Sequence, residues 1–156
     1  MKIHILTHGD KEAGVDPCLT QTGVRQIESV TLPSTVFQII SGTGNRFQQS
    51  AEIVRRRLGH EKDTRFSPLC GSADSGEKAE SGFQVILANG RVVPLGDYIG
   101  LIGTPGVNVN AFLNALPENT LLIAGRELLG ALGYKDALSG VVYGYDGETV
   151  YAGILT

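Results

Sequence analysis

Cysteine is scarce in this sequence: Cys18 and Cys70 are its only two, and they form no CxxC pair. Two are too few for a disulfide framework in a chain of 156 residues. A reducing, cytoplasmic setting is therefore the default expectation. Charge of one sign is also lacking. The 13 Lys and Arg against 16 Asp and Glu give a net charge of −3, and Arg55, Arg56 and Arg57 make the single basic run. No nucleic-acid stripe follows from that balance, and the run lies on an expected helix, where it reads as a solvated face. No apolar run approaches the ~20 residues of a membrane span. The amino terminus enters an apolar strand directly, without the basic lead and long apolar core of a signal peptide.

Glycine is abundant instead, at 21 residues, which favours tight turns and short connections. The length suits one domain over 1–156, large enough for a core without metals or disulfides. "KIHIL" (2–6) reads as a buried strand ending in Thr7, His8, Gly9 and Asp10. "LTQTGVRQIESV" (19–30) reads as a helix. Thr20 is its expected N-cap, Leu19 and Val24 form a hydrophobic staple, and Val24, Ile27 and Val30 make one apolar stripe. Gly23 counts slightly against that helix. "TVFQIISG" (35–42) is a second strand, stopped by glycine. Helix 45–59 follows, with Phe47, Ala51, Val54 and Leu58 on one face and Gly59 past its end.

The middle of the chain carries fewer signals. Residues 65–82 read as a polar loop, and 83–95 as a hairpin turning at Asn89-Gly90, with Pro94 marking an edge strand. A short helix is expected within 107–116, a buried strand at 119–125 and a short helix at 126–133. The tail, 139–155, reads as a hairpin around Asp146-Gly147. Strands alternating with helices predict an α/β fold: a three-layer α/β/α sandwich around a central mixed, mostly parallel sheet. Ligands of such sheets sit outside the carboxyl ends of the strands. Three tips therefore matter together: Thr7-His8-Gly9, Ser41-Gly42 and Gly125-Arg126.

Four stretches carry a family resemblance. "ILTHGD" (5–10) resembles an Arg-His-Gly strand end, and "LTQTGVRQI" (19–27) a Leu-Thr-x-x-Gly-x-x-Gln helix start. "ISGTGNRFQQSAEIV" (40–54) is similar to a Ser-x-x-x-x-Arg-x-x-Gln-Thr-Ala-Glu segment, and "NTLLIAGRELLGALG" (119–133) stands where a second histidine strand belongs. Their order resembles the histidine phosphatase superfamily, the phosphoglycerate-mutase-like proteins. The resemblance spans roughly the first 60 and last 40 residues.

It implies a phosphoglycerate-mutase-like fold and a phosphatase whose histidine is the nucleophile. Carried over by position, His8 attacks phosphorus, Gly9 lets the backbone approach the anion, and Arg46 clamps phosphate. Thr7 stands where the family has its first arginine, and Arg126 where it has its second histidine. Thr7 brings one hydroxyl and no charge; Arg126 brings fixed charge but exchanges no proton. The implied pocket holds phosphate between His8, Arg46 and Arg126, with slow or absent turnover. The acid is expected in the loop carrying Asp74, Glu77 and Glu80, with Glu77 first. The implied partners are a phosphorylated small molecule or a phosphoprotein, without metal or organic cofactor, nucleic acid or membrane. Two other classes remain: a non-catalytic relative that binds a phosphorylated ligand or a protein, and a scaffold that has lost the pocket.

Each residue also has a plainer reading. His8 would be a loop histidine at a strand end, Arg46 a helix-surface arginine, and Arg126 a helix-start residue pairing with Glu127. His4 and His8 lie ~13 Å apart on a strand rising ~3.3 Å per residue, too far to share one metal ion. "SGTGN" (41–45) fails the dinucleotide fingerprint, since Phe47 stands where its third glycine would be. Its glycines would give a turn before Arg46, with N–H groups toward an anion. His60 reads as an ordinary residue past a helix end.

Overall fold

A computed structural model describes residues 1–14, 16–59, 64–67, 70, 84–86, 92–94 and 109–156. In chain order the elements are β1 (Ile3–Thr7), α1 (Gln21–Ser29), β2 (Gln38–Ser41), α2 (Asn45–Leu58), β3 (Arg65–Phe66), β4 (Gln84–Ile86), β5 (Val92–Pro94), α3 (Val109–Asn114), β6 (Thr120–Ala124), α4 (Arg126–Ala131), β7 (Val142–Tyr145) and β8 (Val150–Ala152). Six strands form one sheet in the order β3-β2-β6-β1-β7-β8. Pairing is parallel from β3 through β1, and β7 runs antiparallel to both β1 and β8. The sheet is therefore mixed and mostly parallel.

Strand residues alternate between two cores, as a period of two requires. Ile3 and Ile5 of β1, Leu122 and Ala124 of β6, and Tyr143 and Tyr145 of β7 pack with Phe112, Leu113, Leu128 and Leu129 of α3 and α4. Leu6, Leu121, Ile123 and Val142 face the other way, against Ile27 of α1 and Ala51 and Val54 of α2. Helices thus cover both faces of the sheet. β1 and β6 are buried along their whole length, which is why both read as continuous apolar runs rather than alternating ones.

The local signals act as their chemistry demands. Thr20 accepts a hydrogen bond from the Gly23 N–H at 2.9 Å and caps α1. Leu19 and Val24 share one apolar cluster. Gly59 takes the left-handed conformation (φ 60°) past the end of α2. β4 and β5 pair antiparallel as a separate two-stranded sheet; the Asn89-Gly90 turn expected between them lies outside the described residues. His60 and the acid candidates Asp74, Glu77 and Glu80 also lie outside them.

One expectation needs correction. Residues 65–82 read as loop, yet Arg65–Phe66 forms β3, parallel to β2, and Ser67 N–H donates to Ser41 O at 2.8 Å. The open edge of β2 supplies partners that two residues of local sequence cannot signal. The arginine run is not wholly solvated either. Arg55 and Arg56 pair with Glu52, while Arg57 Nη1 donates to Ile27 O at 2.7 Å and ties α2 to α1. Among the described residues, no helix is long and apolar enough to cross a membrane.

His4 is a packed strand residue. Its Nε2 accepts the Leu155 N–H at 3.0 Å, and Leu155 fills the space left by Gly144, the partner of His4 across β1 and β7. Burial, with the nearby Lys2 charge second, holds the His4 pKa below its ordinary 6.5. A depressed histidine pKa favours the fold above the unfolded value, and that contribution is lost as pH falls. His4→Ala is expected to cost about 2 kcal/mol through the lost packing and the orphaned Leu155 N–H. It should also flatten the loss of stability between about pH 7.5 and about pH 5.5. Denaturant unfolding at both pH values checks this; an unaltered slope would show that His4 does not carry it.

Candidate phosphate site at three strand ends

β6 lies between β1 and β2, and the three strands end level. Thr7 is in register with Ala124, and Ser41 with Ile123. The ladder continues one residue further: His8 N–H donates to Ala124 O at 3.1 Å, and Gly42 N–H to Ile123 O at 2.9 Å. His8, Gly42 and Gly125 therefore emerge side by side at the carboxyl edge.

His8 is 6% exposed. Its Nδ1 lies 2.7 Å from Gly9 O. A carbonyl only accepts, so Nδ1 carries the hydrogen and Nε2 keeps its lone pair. Burial is the main cause that lowers the His8 pKa below 6.5. The Gly9 hydrogen bond opposes it, the Arg46 charge adds to it, Glu127 opposes it, and Arg126 adds least. The ring is thus neutral at neutral pH.

Phe47 holds this imidazole in place. The His8 and Phe47 rings meet edge-on, with centroids 5.0 Å apart at 86°, and the Arg46 guanidinium carbon lies 4.4 Å from the centre of the same Phe47 ring. Phe47 belongs to the apolar stripe of α2 by spacing, yet it joins neither core cluster. Sequence periodicity assigned it to packing alone. Its position beside Arg46 at the start of a helix that follows a strand was the available signal.

Thr7 does different work from an arginine. It is fully buried. Its Oγ1 donates to Leu138 O at 2.6 Å and accepts from Val141 N–H at 3.0 Å. Gly140 N–H donates to His8 O at 3.0 Å. Thr7 and His8 together hang the 138–141 segment on β1, which brings Ser139 to the mouth of the site. The amino end of α2 is occupied as well: Asp16 Oδ1 accepts the Asn45 N–H at 2.8 Å. The turn before Arg46 thus commits to Asp16 one of the N–H groups expected to face an anion.

Two glycines have a structural reason. A β-carbon on Gly9 would collide with the Gly23 backbone, and one on Gly23 with the backbone of Asp10. Gly23 does not weaken α1; it lets the helix touch the loop after β1. Gln26 completes the contact, accepting the Asp10 N–H at 2.9 Å and donating to its Oδ2 at 3.1 Å.

A cleft of about 580 Å³ opens here. His8 and Arg126 both line it, with Asp10, Lys11, Thr20, Thr22 and Ser139. Arg46 and Gly9 are both buried, and neither is among the described lining residues. No ion pair joins Arg126 to Glu127 among the described residues. Lys11, Thr22 and Ser139 are additions that sequence reasoning missed, because two separate loops and the first turn of α1 deliver them.

No family model matches the chain, and no curated protein matches it. Solved structures do. TTHB049 from Thermus thermophilus is 16% identical, with both chains covered completely and a TM-score of 0.59. A phosphoglycerate mutase from Thermus thermophilus is 17% identical over 100% of this chain and 99% of that one, with a TM-score of 0.59. The protein histidine phosphatase SixA, complexed with tungstate, is 16% identical over 92% of this chain and 86% of that one, with a TM-score of 0.55. The chain has the phosphoglycerate-mutase-like fold.

Within the phosphoglycerate-mutase-like fold, the cleft depends on the contact between α1 and the β1 loop. Gly→Ala in a helix ordinarily stabilises by up to ~1 kcal/mol. Gly23→Ala is expected to do the reverse, costing about 1–3 kcal/mol through backbone overlap. Chemical denaturation decides the sign, and a stabilised variant would show that the contact does not constrain the loop.

Proposed function

We propose that this chain is a divergent histidine phosphatase that binds a phosphoryl group at His8, Arg46 and Arg126 and hydrolyses it slowly through phospho-His8. One observation carries the reading: a neutral imidazole, held by Gly9 with Nε2 unprotonated, beside arginine charge at the carboxyl edge of the sheet. A neutral imidazole is a competent nucleophile. Attack forms the Nε2–P bond as the bond from phosphorus to the leaving group breaks. Water then attacks phosphorus, and the electron pair returns to Nε2. Guanidinium groups suit the phosphoryl oxygens throughout, because they keep their charge and offer paired donors. The tungstate in the SixA complex is a tetrahedral oxyanion, the same class of guest.

Slow turnover follows from the substitutions. Thr7 commits its hydroxyl to the 138–141 backbone, and Arg126 exchanges no proton. Loss of one preorganised donor costs ~10²–10³ in rate. The same engagement of Thr7 favours a second reading, a pocket that binds phosphorylated ligands without turning them over. Either ligand class, a phosphorylated small molecule or a phosphoprotein side chain, suits the open polar cleft, and Glu77 remains the proposed acid from the 60–118 region.

The test uses radiolabelled phosphoramidate with quenching that avoids acid, because phosphohistidine is acid-labile. Wild type is expected to take up label and His8→Ala to take up none. Equal label on both would sink the enzyme reading. Arg126→Ala should weaken inorganic phosphate binding about tenfold, the worth of one charged hydrogen bond. Phosphate binding without labelling would leave the non-catalytic reading standing.

A further inference from the structure

Lys11 lines the cleft that His8 and Arg126 share. Its main chain is fixed on both sides. Lys11 bridges Leu19 in an antiparallel pair. The Thr20 N–H donates to Asp10 O at 2.9 Å, and the Glu12 N–H to Cys18 O at 2.8 Å. Leu19 is buried in the core cluster of α1 and α2, and its N–H donates to Gln49 Oε1 at 2.7 Å. Gln26 holds Asp10 at its N–H and its Oδ2. The lysine thus stands on a short hairpin tied to two helices.

Arg126 reaches the same cleft from the other layer. It begins α4, whose Leu128 and Leu129 pack in the opposite core cluster. His8 follows β1, between the two layers. The cleft at His8 therefore receives one cation from each face of the sheet.

Among the described residues, no carboxylate pairs with Lys11 or Arg126. Arg55 and Arg56, by contrast, share Glu52. Asp10 is the one carboxylate among the described lining residues, and its Oδ2 accepts from Gln26 Nε2 at 3.1 Å. His8 Nδ1 is engaged by Gly9 O, which leaves Nε2 for a guest. Two cations and a nitrogen lone pair thus meet in one cleft, an arrangement that suits an anion with an electrophilic centre.

We propose that Lys11 is a phosphate-binding residue: its ammonium holds the phosphoryl oxygens from the α1 layer while Arg126 holds them from the α4 layer. The inference rests on the phosphate-binding reading above. The two cations supply different things. Arg126 offers a planar fork of donors, and Lys11 a compact charge on a flexible stem. That stem lets the ammonium follow the oxygens as phosphorus passes from the leaving group to Nε2.

Titration with inorganic phosphate, followed at the His8 imidazole resonances by NMR, tests this in wild type, Lys11→Gln, Lys11→Arg and Arg56→Gln. Lys11→Gln should weaken phosphate about fivefold, less than the loss of a buried charged hydrogen bond, because Lys11 is exposed. Lys11→Arg should stay near wild type, since it keeps the charge. Arg56→Gln removes the same charge outside the cleft and should leave the affinity unchanged. Wild-type affinity in Lys11→Gln, or an equal loss in Arg56→Gln, overturns the assignment. So does a loss in Lys11→Arg as large as that in Lys11→Gln. A wild type that binds no phosphate at His8 overturns the phosphate site itself, and the part of Lys11 in it.

Discussion

The parallel register of β6 between β1 and β2 is the constraint on which everything else rests. It aligns Thr7 with Ala124 and Ser41 with Ile123. Three chain segments far apart in sequence then leave the sheet at one level. A slip of a single residue would turn each strand's side chains to the opposite face. It would also carry His8 away from Phe47. The two apolar cores enforce the register, because every apolar residue of β1 and β6 is buried in one core cluster or the other.

Close backbone contacts finish the site. Gly9 against Gly23, and Gly23 against Asp10, bring the start of α1 onto the loop after β1. Thr7 and His8 hold the 138–141 segment from the other side. The imidazole thus sits between two loops fixed by main-chain hydrogen bonds, which limits how far it can turn.

Electrostatics and burial act together on His8. Burial keeps its ring neutral, and Arg46 and Arg126 reinforce that while Glu127 opposes it. Acidic residues accompany the arginines: Glu127 follows Arg126 in the first turn of α4, and Asp10 lines the cleft.

The α/β class, the mixed sheet and the helix caps were legible in residues 1–59 and 119–156, because they follow from local rules. Buried strands need apolar runs, Thr20 offers a capping oxygen, and Gly59 accepts a left-handed turn. His8 and Arg126 were legible as tips of such strands. What Phe47 touches, where the Thr7 hydroxyl points, and which side chains join His8 from the loops at 11 and 139 and from the start of α1 were decided only by the tertiary structure. Several of those contacts join residues over a hundred positions apart. They depend on strand register and on the space left by missing β-carbons, which no local pattern encodes.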